Sequence, residues 1–340
     1  MSVAEPCISQ PTPSRSTHRE KLWAWLMLAI LLGVLGVPLY AVYSVSEMIT
    51  LQPNIEKGGG MIQFEAVGPQ WLKDWAGGNY DWLVGTPVSL IVGPRQKVSD
   101  RWAKRLRGMT RLRTLSLAGT QITDQGMTAL ANLTELEYLD LSGTDIGDAG
   151  LEQIRGLTKL KSLWLDGTQV SDEGLACLAG MNNLSELDLS HTRVRGPGLK
   201  CLAAMNELTE LNLESTAVDD AGLAQLPALP SLYKLDLGST KITGAGLRVL
   251  TGRPSITSLS IRDTQVDDAA IETLSSLGHL DEYSNIRLIL AIQGTKITPQ
   301  GAHRLSPGIS LDKSDLSPGH LGRADSKQVR LQRAAMSWAK

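Results

Sequence analysis

Residues 112–127 read LRTLSLAGTQITDQGM, and residues 160–175 read LKSLWLDGTQVSDEGL. The same frame recurs through much of the chain, and its threonine stands at Thr120, Thr144, Thr168, Thr192, Thr216, Thr240, Thr264 and Thr295. The first seven of these threonines are spaced by 24 residues, and the last follows after 31. A fixed period in this range predicts a solenoid, in which each short coil stacks on its neighbours.

Within one repeat the pattern predicts a strand, a turn and a short helix. Leu112, Leu115 and Leu117 form Leu-x-x-Leu-x-Leu, which is typical of a strand whose leucines face a core. We expect the methyl group of Thr120 to pack inward while its hydroxyl bonds the backbone of the loop. The clear repeats start at Leu112, Leu136, Leu160, Leu184, Leu208, Leu232, Ile256 and Arg287. Residues 88–111 predict one degenerate repeat in the same register, with Ile91 at an anchor position.

Three further positions recur in the second half of each repeat. Position twelve predicts a helix N-cap, and it is occupied by Thr123, Ser171, Asp219, Thr243, Asp267 and Thr298. An aspartate that suits the helix dipole follows, as Asp124, Asp148, Asp172, Asp220 and Asp268. At position fifteen we expect a side chain to collide with the next coil, since glycine recurs there as Gly126, Gly150, Gly174, Gly198, Gly222, Gly246 and Gly301. Ala270 departs from that rule.

The consensus LxxLxLxGTxITDxGLxxLxxL resembles the leucine-rich repeats of bacteria, particularly those of planctomycete-type envelope proteins. It is also similar to the cysteine-containing subclass, with threonine where that subclass has cysteine. The resemblance covers about residues 88–305. It implies an α/β solenoid, a leucine-rich-repeat horseshoe with a parallel sheet on the concave side and short helices on the convex side. It also implies a protein-interaction scaffold, because leucine-rich repeats chiefly bind proteins and bring no catalytic residues.

An uncharged segment precedes the repeats and predicts one transmembrane helix. Residues 22–45 read LWAWLMLAILLGVLGVPLYAVYSV, and as a helix they would span about 36 Å, against about 30 Å of hydrocarbon. Arg15, Arg19 and Lys21 precede the segment, so the positive-inside rule puts residues 1–21 in the cytoplasm. We therefore predict a single-pass inner-membrane protein whose repeats lie on the extracytoplasmic side. A cleaved signal peptide is the alternative, although the apolar stretch is longer than usual for one.

The remaining segments complete the domain prediction. Residues 46–87 are expected to form a juxtamembrane linker and an N-terminal cap rich in Trp and Tyr. Residues 280–286 add seven residues between two repeats, as a recognition loop or a tolerated bulge. Residues 306–340 are a polar, basic tail. A second basic stretch comprises Arg95, Lys97, Arg101, Lys104, Arg105, Arg107, Arg111 and Arg113, and it is either solvated surface or a docking site for anionic lipid or polymer.

The sequence offers no sign of catalysis. Its five histidines are scattered, and HExxH, CxxC, GxSxG and phosphate-loop patterns are missing from it. We expect no cofactor and no metal. Cys177 and Cys201 occupy equivalent positions one repeat apart, about 10 Å from each other, which exceeds the reach of about 7 Å for a disulfide. We therefore predict free thiols. The net charge of −2 argues against nucleic acid as a partner.

The concave face supplies the candidate binding site, because strand positions three and five alternate with the inward leucines. The candidate ligand-binding residues there and on the adjoining edge are Tyr138, Asp140, Trp164, Asp166, Glu186, Asp188, Glu210 and Asp236. An exposed Trp beside carboxylates suits a basic peptide, a cationic ligand or a glycan. The alternative is that polar residues only keep the face soluble. A structural envelope protein, or a secreted effector if the N-terminal segment is cleaved, remains an alternative function.

Overall fold

The computed structural model describes residues 55–66, 85–93, 98–277, 288–306 and 309–311. They all belong to one of two units of the chain, Ile49–Lys340. The predicted membrane segment, the Trp- and Tyr-rich part of the cap, the insertion at 280–286 and all but a few residues of the tail lie outside the described residues. Within the described ranges, no helix is both long enough and apolar enough to cross a bilayer.

In the described part of the chain, eleven strands form one sheet in chain order. The first two strands are antiparallel, and every later neighbour is parallel. The strands are β1 Met61–Ala66, β2 Gly85–Ile91, β3 Thr114–Ser116, β4 Tyr138–Asp140, β5 Ser162–Trp164, β6 Glu186–Asp188, β7 Glu210–Asn212, β8 Lys234–Asp236, β9 Ser258–Ser260, β10 Leu288–Ala291 and β11 Ile309–Leu311. Equivalent positions pair from β3 to β10, so the predicted parallel sheet and its register are confirmed.

Short helices alternate with the strands. The α-helices described after β2 are Asp100–Ala103, Asp124–Met127, Asp148–Ile154, Asp172–Leu175, Asp220–Leu223, Ile271–Leu277 and Pro299–His303. The 3-10 helices are Lys104–Gly108, Ala176–Leu178, Pro197–Ala204, Gly246–Leu250 and Asp268–Ala270. The predicted caps are confirmed, because each accepts a hydrogen bond from a backbone N–H two or three residues later.

The core runs between the strands and the helices and consists mainly of aliphatic side chains that are almost wholly buried. The recurrent threonines border this core, and Thr168 is only 2% exposed. The eight hydroxyls each donate to the carbonyl three residues earlier, at 2.5–2.8 Å. Each threonine therefore closes its own coil, as expected of a methyl that packs inward and a hydroxyl that bonds the loop backbone.

The register predicted for the degenerate repeat is wrong at Ile91. Leu90, which is fully buried, pairs with Leu115, while Ile91 pairs with Ser116 and is 38% exposed. The loop between Leu90 and Asp100 holds one residue more than the equivalent loop of the next coil. Because side chains alternate along a strand, one extra residue moves Ile91 to the opposite face.

A row of aspartates joins successive coils. Asp148 accepts hydrogen bonds from the backbone N–H of Ser171 at 2.8 Å and from its hydroxyl at 2.7 Å. The same pair of bonds links Asp100 to Thr123, Asp220 to Thr243 and Asp268 to Thr298. Asp124 and Asp172 bond only backbone amides of the following coil. These aspartates thus connect coils, beyond the helix-dipole role expected from the sequence.

The recurrent glycine makes room for this row. A Cβ atom on Gly174 would lie 2.3 Å from Oδ1 of Asp148, so the collision is with the preceding coil, where we had expected the next one. Ala270 departs from the glycine pattern because the coil before it has no aspartate at the facing position. Gly244 stands where an aspartate would be, and a Cβ atom on Gly244 would lie 2.8 Å from the Cβ of Ala270. Either the aspartate or the alanine fits at this joint.

Gly174→Ala should lower the free energy of unfolding by about 1–3 kcal/mol, because the new methyl displaces a hydrogen-bonded carboxylate. In an Asp148→Gly background, which copies Gly244 and Ala270, the same change should cost at least about 1 kcal/mol less. Urea denaturation of the four chains measures this coupling. Gly180→Ala is the matched control, since a Cβ there meets nothing within 4 Å. Equal costs of Gly174→Ala in both backgrounds would contradict the pairing rule.

Cys177 and Cys201 are free and partly exposed, as predicted. Burial raises the pKa of the Cys177 thiol from 9.0 to about 11, and its hydrogen bond to Glu152 acts in the same direction. The thiol donates to Oε2 of Glu152 at 3.2 Å. The thiolate, which is the reactive form, is therefore disfavoured at neutral pH.

At pH 8 we expect Cys177 to react with iodoacetamide about 100-fold more slowly than an unperturbed thiol, because its thiolate is that much rarer. Glu152→Gln removes a negative charge and should accelerate the reaction. Peptide mass spectrometry in a Cys7→Ser chain resolves the rates at Cys177 and Cys201. If Glu152→Gln left the rate at Cys177 unchanged, the carboxylate would have no part in its protection.

Candidate ligand-binding face

The side chains at repeat positions three and five form one surface, called here the sheet face. Position three runs in register through Tyr138, Ser162, Glu186, Glu210 and Lys234. Position five runs through Asp140, Trp164, Asp188, Asn212 and Asp236. Trp164 thus lies between Asp140 and Asp188, in the predicted order. Seven of the eight candidate residues belong to these two rows, and Asp166 lies just beyond the end of β5.

The three acidic residues at position five also have a structural role that sequence reasoning missed. Oδ1 of Asp140 accepts from the backbone N–H of Ser142 at 3.0 Å. Asp188 and Asp236 accept in the same way from the residue two positions later, at 2.8 Å each, and Asn212 does so at 3.0 Å. Each side chain closes the turn after its strand, as Asp and Asn side chains often do by accepting a hydrogen bond from a nearby backbone N–H. The recurrence of Asp and Asn at this one repeat position was the sequence signal that could have revealed this structural role.

Lateral hydrogen bonds tie these carboxylates together. Ser116 donates to the second oxygen of Asp140 at 2.8 Å, and the amide of Asn212 donates to that of Asp188 at 3.0 Å. The hydroxyl of Ser190 lies within hydrogen-bonding distance of both Asp188, at 2.6 Å, and Asp166, at 3.0 Å. This contact brings Asp166 into the same network as the position-five row.

Position three is partly neutralised. Glu210 pairs with the ammonium group of Lys234 at 2.6 Å and accepts from the hydroxyl of Tyr233 at 2.6 Å. The hydrogen bond from Lys234, followed by that from Tyr233, holds the pKa of Glu210 below its usual value. Glu186 accepts from Ser162 at 3.0 Å. Glu210 is therefore ionised and already engaged, while Glu186 keeps more of its accepting capacity.

Trp164 breaks the rule of its row. An indole only donates hydrogen bonds, so it cannot close the turn as Asp and Asn do at this position. The side chain is nevertheless 37% exposed, and Tyr138, on the adjacent strand, is 40% exposed. Ser162, which pairs with Tyr138 and precedes Trp164 by two residues, is only 1% exposed. The two rings flank a covered serine and form an aromatic shelf at the acidic part of the sheet face.

The site offers contacts for a ligand and no evident metal chemistry. Within the part of the chain that the structure describes, no three His, Cys, Asp or Glu side chains are grouped to hold a metal ion. The carboxylates instead accept hydrogen bonds from neighbours and surround the exposed indole. This arrangement can bind a cationic or hydrogen-bond-donating partner along the strands.

Part of the repeat region matches known protein families. Residues 110–153 match the family described as Leucine Rich repeats (2 copies), and residues 156–179 and 180–203 each match Leucine Rich repeat. No curated protein sequence matches the chain.

Two solved internalins of Listeria monocytogenes are among the similar structures. Internalin inlF shares 19% identity over 66% of this chain and 86% of its own, with a TM-score of 0.37. Internalin C2 shares 23% identity over 66% of this chain and 80% of its own, with a TM-score of 0.40. The 24-residue frame, the register of the parallel strands and the family matches over residues 110–153 and 156–203 together show that the chain contains leucine-rich repeats.

Proposed function

We propose that this chain is a membrane-anchored interaction scaffold or receptor that binds a protein or peptide on the sheet face around Trp164. The main observation in favour of this proposal is that the indole of Trp164 is exposed at a position where neighbouring coils use Asp or Asn to close a turn. A large aromatic side chain that gives up a local hydrogen bond and remains exposed suits a binding contact, because Trp is enriched among the residues that dominate interfaces.

The charge of the sheet face favours a basic partner. From β4 to β8 the sheet face and its adjoining edge carry seven acidic residues and one lysine, Lys234, which is paired with Glu210. The acids are Asp140, Asp166, Glu186, Asp188, Glu210, Glu214 and Asp236. A carboxylate has about four accepting sites, so the observed hydrogen bonds leave capacity for a ligand. An Arg or Lys of the partner could lie over Trp164 and reach Asp140 or Asp188.

The dimensions of the sheet face suit an extended segment. Five strands at about 4.8 Å spacing separate Tyr138 from Lys234 by about 19 Å, which matches about six residues of extended peptide. Such a length favours a macromolecular partner over a small molecule, although a glycan chain shares this geometry.

The anchor is the second part of the proposal. The uncharged residues 22–45 and the basic residues before them support one membrane span with the repeats on the extracytoplasmic side. Such an anchor would hold the sheet face at the cell envelope, where a receptor or scaffold meets its partner. Cleavage after the apolar segment would instead make the chain a secreted effector.

Trp164→Ser should weaken partner binding at least about tenfold, because interface tryptophans commonly contribute 2 kcal/mol or more. Serine is chosen because Ser116 and Ser260 occupy position five in other coils. A photo-crosslinking residue at position 138 in cells would first identify the partner by mass spectrometry. Titration of the purified partner then compares the affinities of wild type and variant.

Lys200→Ser is the control, because Lys200 is exposed on the 3-10 helix Pro197–Ala204, outside the sheet face. Serine is used in both variants, so that both introduce the same side chain. We expect this variant to bind within about twofold of wild type, as most residues outside a hot spot do. A partner whose affinity is equal for all three chains would rule out the sheet face as its site.

Protease added outside intact spheroplasts should degrade the repeats and leave a small membrane-embedded N-terminal fragment. The reason is that the positive-inside rule places only residues 1–21 in the cytoplasm. Immunoblotting with tags at both ends measures the fragments. Degradation only after the membrane is opened would contradict the topology, and a soluble chain that begins after the apolar segment would indicate cleavage.

A further inference from the structure

The helical part of the first coil carries a concentrated positive charge. Arg101, Lys104, Arg105 and Arg107 all lie within residues 100–108 and are all exposed. The equivalent positions of the next coil are uncharged, namely Gln125, Thr128, Ala129 and Ala131. The charge is therefore a property of this one coil and does not follow from the repeat.

These four side chains are not neutralised within the described part of the chain. The ion pairs found there, at Glu152, Glu135, Glu137 and Glu210, involve other cations. The acid that precedes them in sequence, Asp100, accepts both the backbone N–H and the hydroxyl of Thr123. Because Asp100 is committed to the row that joins the coils, no acidic side chain among the described residues pairs with these four exposed cations.

An aromatic ring accompanies this charge. Trp102 is half-buried and stands at repeat position fifteen, where later coils have glycine. Within the described residues the aspartate row begins at Asp100, so no earlier aspartate requires glycine at position 102. Tryptophan has an apolar body and a polar N–H, and it is enriched at the level of lipid headgroups. Basic side chains around a tryptophan are typical of surfaces that lie on anionic membranes.

We propose that Arg101, Trp102, Lys104, Arg105 and Arg107 dock on the anionic phospholipid headgroups of a bilayer. Each Lys or Arg near such a surface strengthens attraction about fivefold, so four residues together amount to several hundredfold at low salt. A membrane is favoured over a soluble polyanion because Trp102, which is only half-buried, lies in the same short helix as Arg101. The proposal goes beyond the proposed function and does not require the anchor, although an anchor would keep this coil near lipid.

The test places a fluorophore beside the basic coil. Gly108 is exposed, and a Cβ there meets nothing within 4 Å. Gly156 occupies the equivalent position of a later coil and is equally open. Gly108→Cys and Gly156→Cys are made separately in the full chain with Cys7→Ser, Cys177→Ala and Cys201→Ala. Each labelled chain is mixed with vesicles of brominated phosphatidylcholine, with and without phosphatidylglycerol.

Phosphatidylglycerol should increase quenching of the dye at position 108 at least about threefold more than at position 156. Arg101→Gln, Lys104→Gln, Arg105→Gln and Arg107→Gln combined should abolish the increase, as should high salt. Lys200→Gln with Arg248→Gln, two exposed cations of later coils, should leave it intact. Circular dichroism confirms the fold of each chain.

The proposal is overturned if phosphatidylglycerol has no effect at position 108, if both dye positions respond equally, or if the fourfold Gln variant responds like wild type. Binding to polyglutamate without any response to vesicles would also overturn it and point to an acidic polymer. Failure of the anchor is a separate result, because a chain without a membrane span would not float with neutral vesicles.

Discussion

Most coils in the described part of this chain are completed by a carboxylate of the coil before them. The carboxylate of Asp148 satisfies the backbone N–H and the hydroxyl of Ser171 in the next coil, and Gly174 leaves the space that the carboxylate needs. A short helix of one turn leaves N–H groups without partners inside the helix. The stacking of coils supplies those partners, so the helices, the sheet register and the sheet face all depend on this contact between neighbours.

Much of this architecture could be predicted from the sequence because the repeat is regular. Thr168 and its equivalents located the turn, and counting from them placed Trp164 between Asp140 and Asp188. Ile91 was misplaced because its loop has one extra residue and lacks the threonine that marks the frame. The joint of Gly244 with Ala270 could not be understood from the sequence, since its explanation lies in two residues brought together only by stacking.

The candidate site was predicted in position but not in chemistry. An acidic residue on an exposed strand has the same pattern whether it meets a ligand or closes a turn. Only the hydrogen bonds distinguish these roles, and they show that Asp140, Asp188 and Asp236 serve the fold as well. The distinction makes Trp164 more informative, because it is the residue of its row whose presence the local backbone does not explain. Glu210 is a weaker candidate for ligand binding, because its carboxylate already accepts hydrogen bonds from Lys234 and Tyr233.

The aspartate row has two gaps, at Gly196 and Gly244, where the following coil receives no carboxylate from its predecessor. The array is therefore divided into three blocks of coils, and the two contacts between the blocks lack the aspartate hydrogen bonds. Local opening in proteins begins where such cross-links are fewest. We therefore expect a pull on the C-terminal end to separate the coils first at the joint after Gly244. The coils around Trp164 would hold longest, so the chain could bear load at its far end while its aromatic shelf keeps its shape.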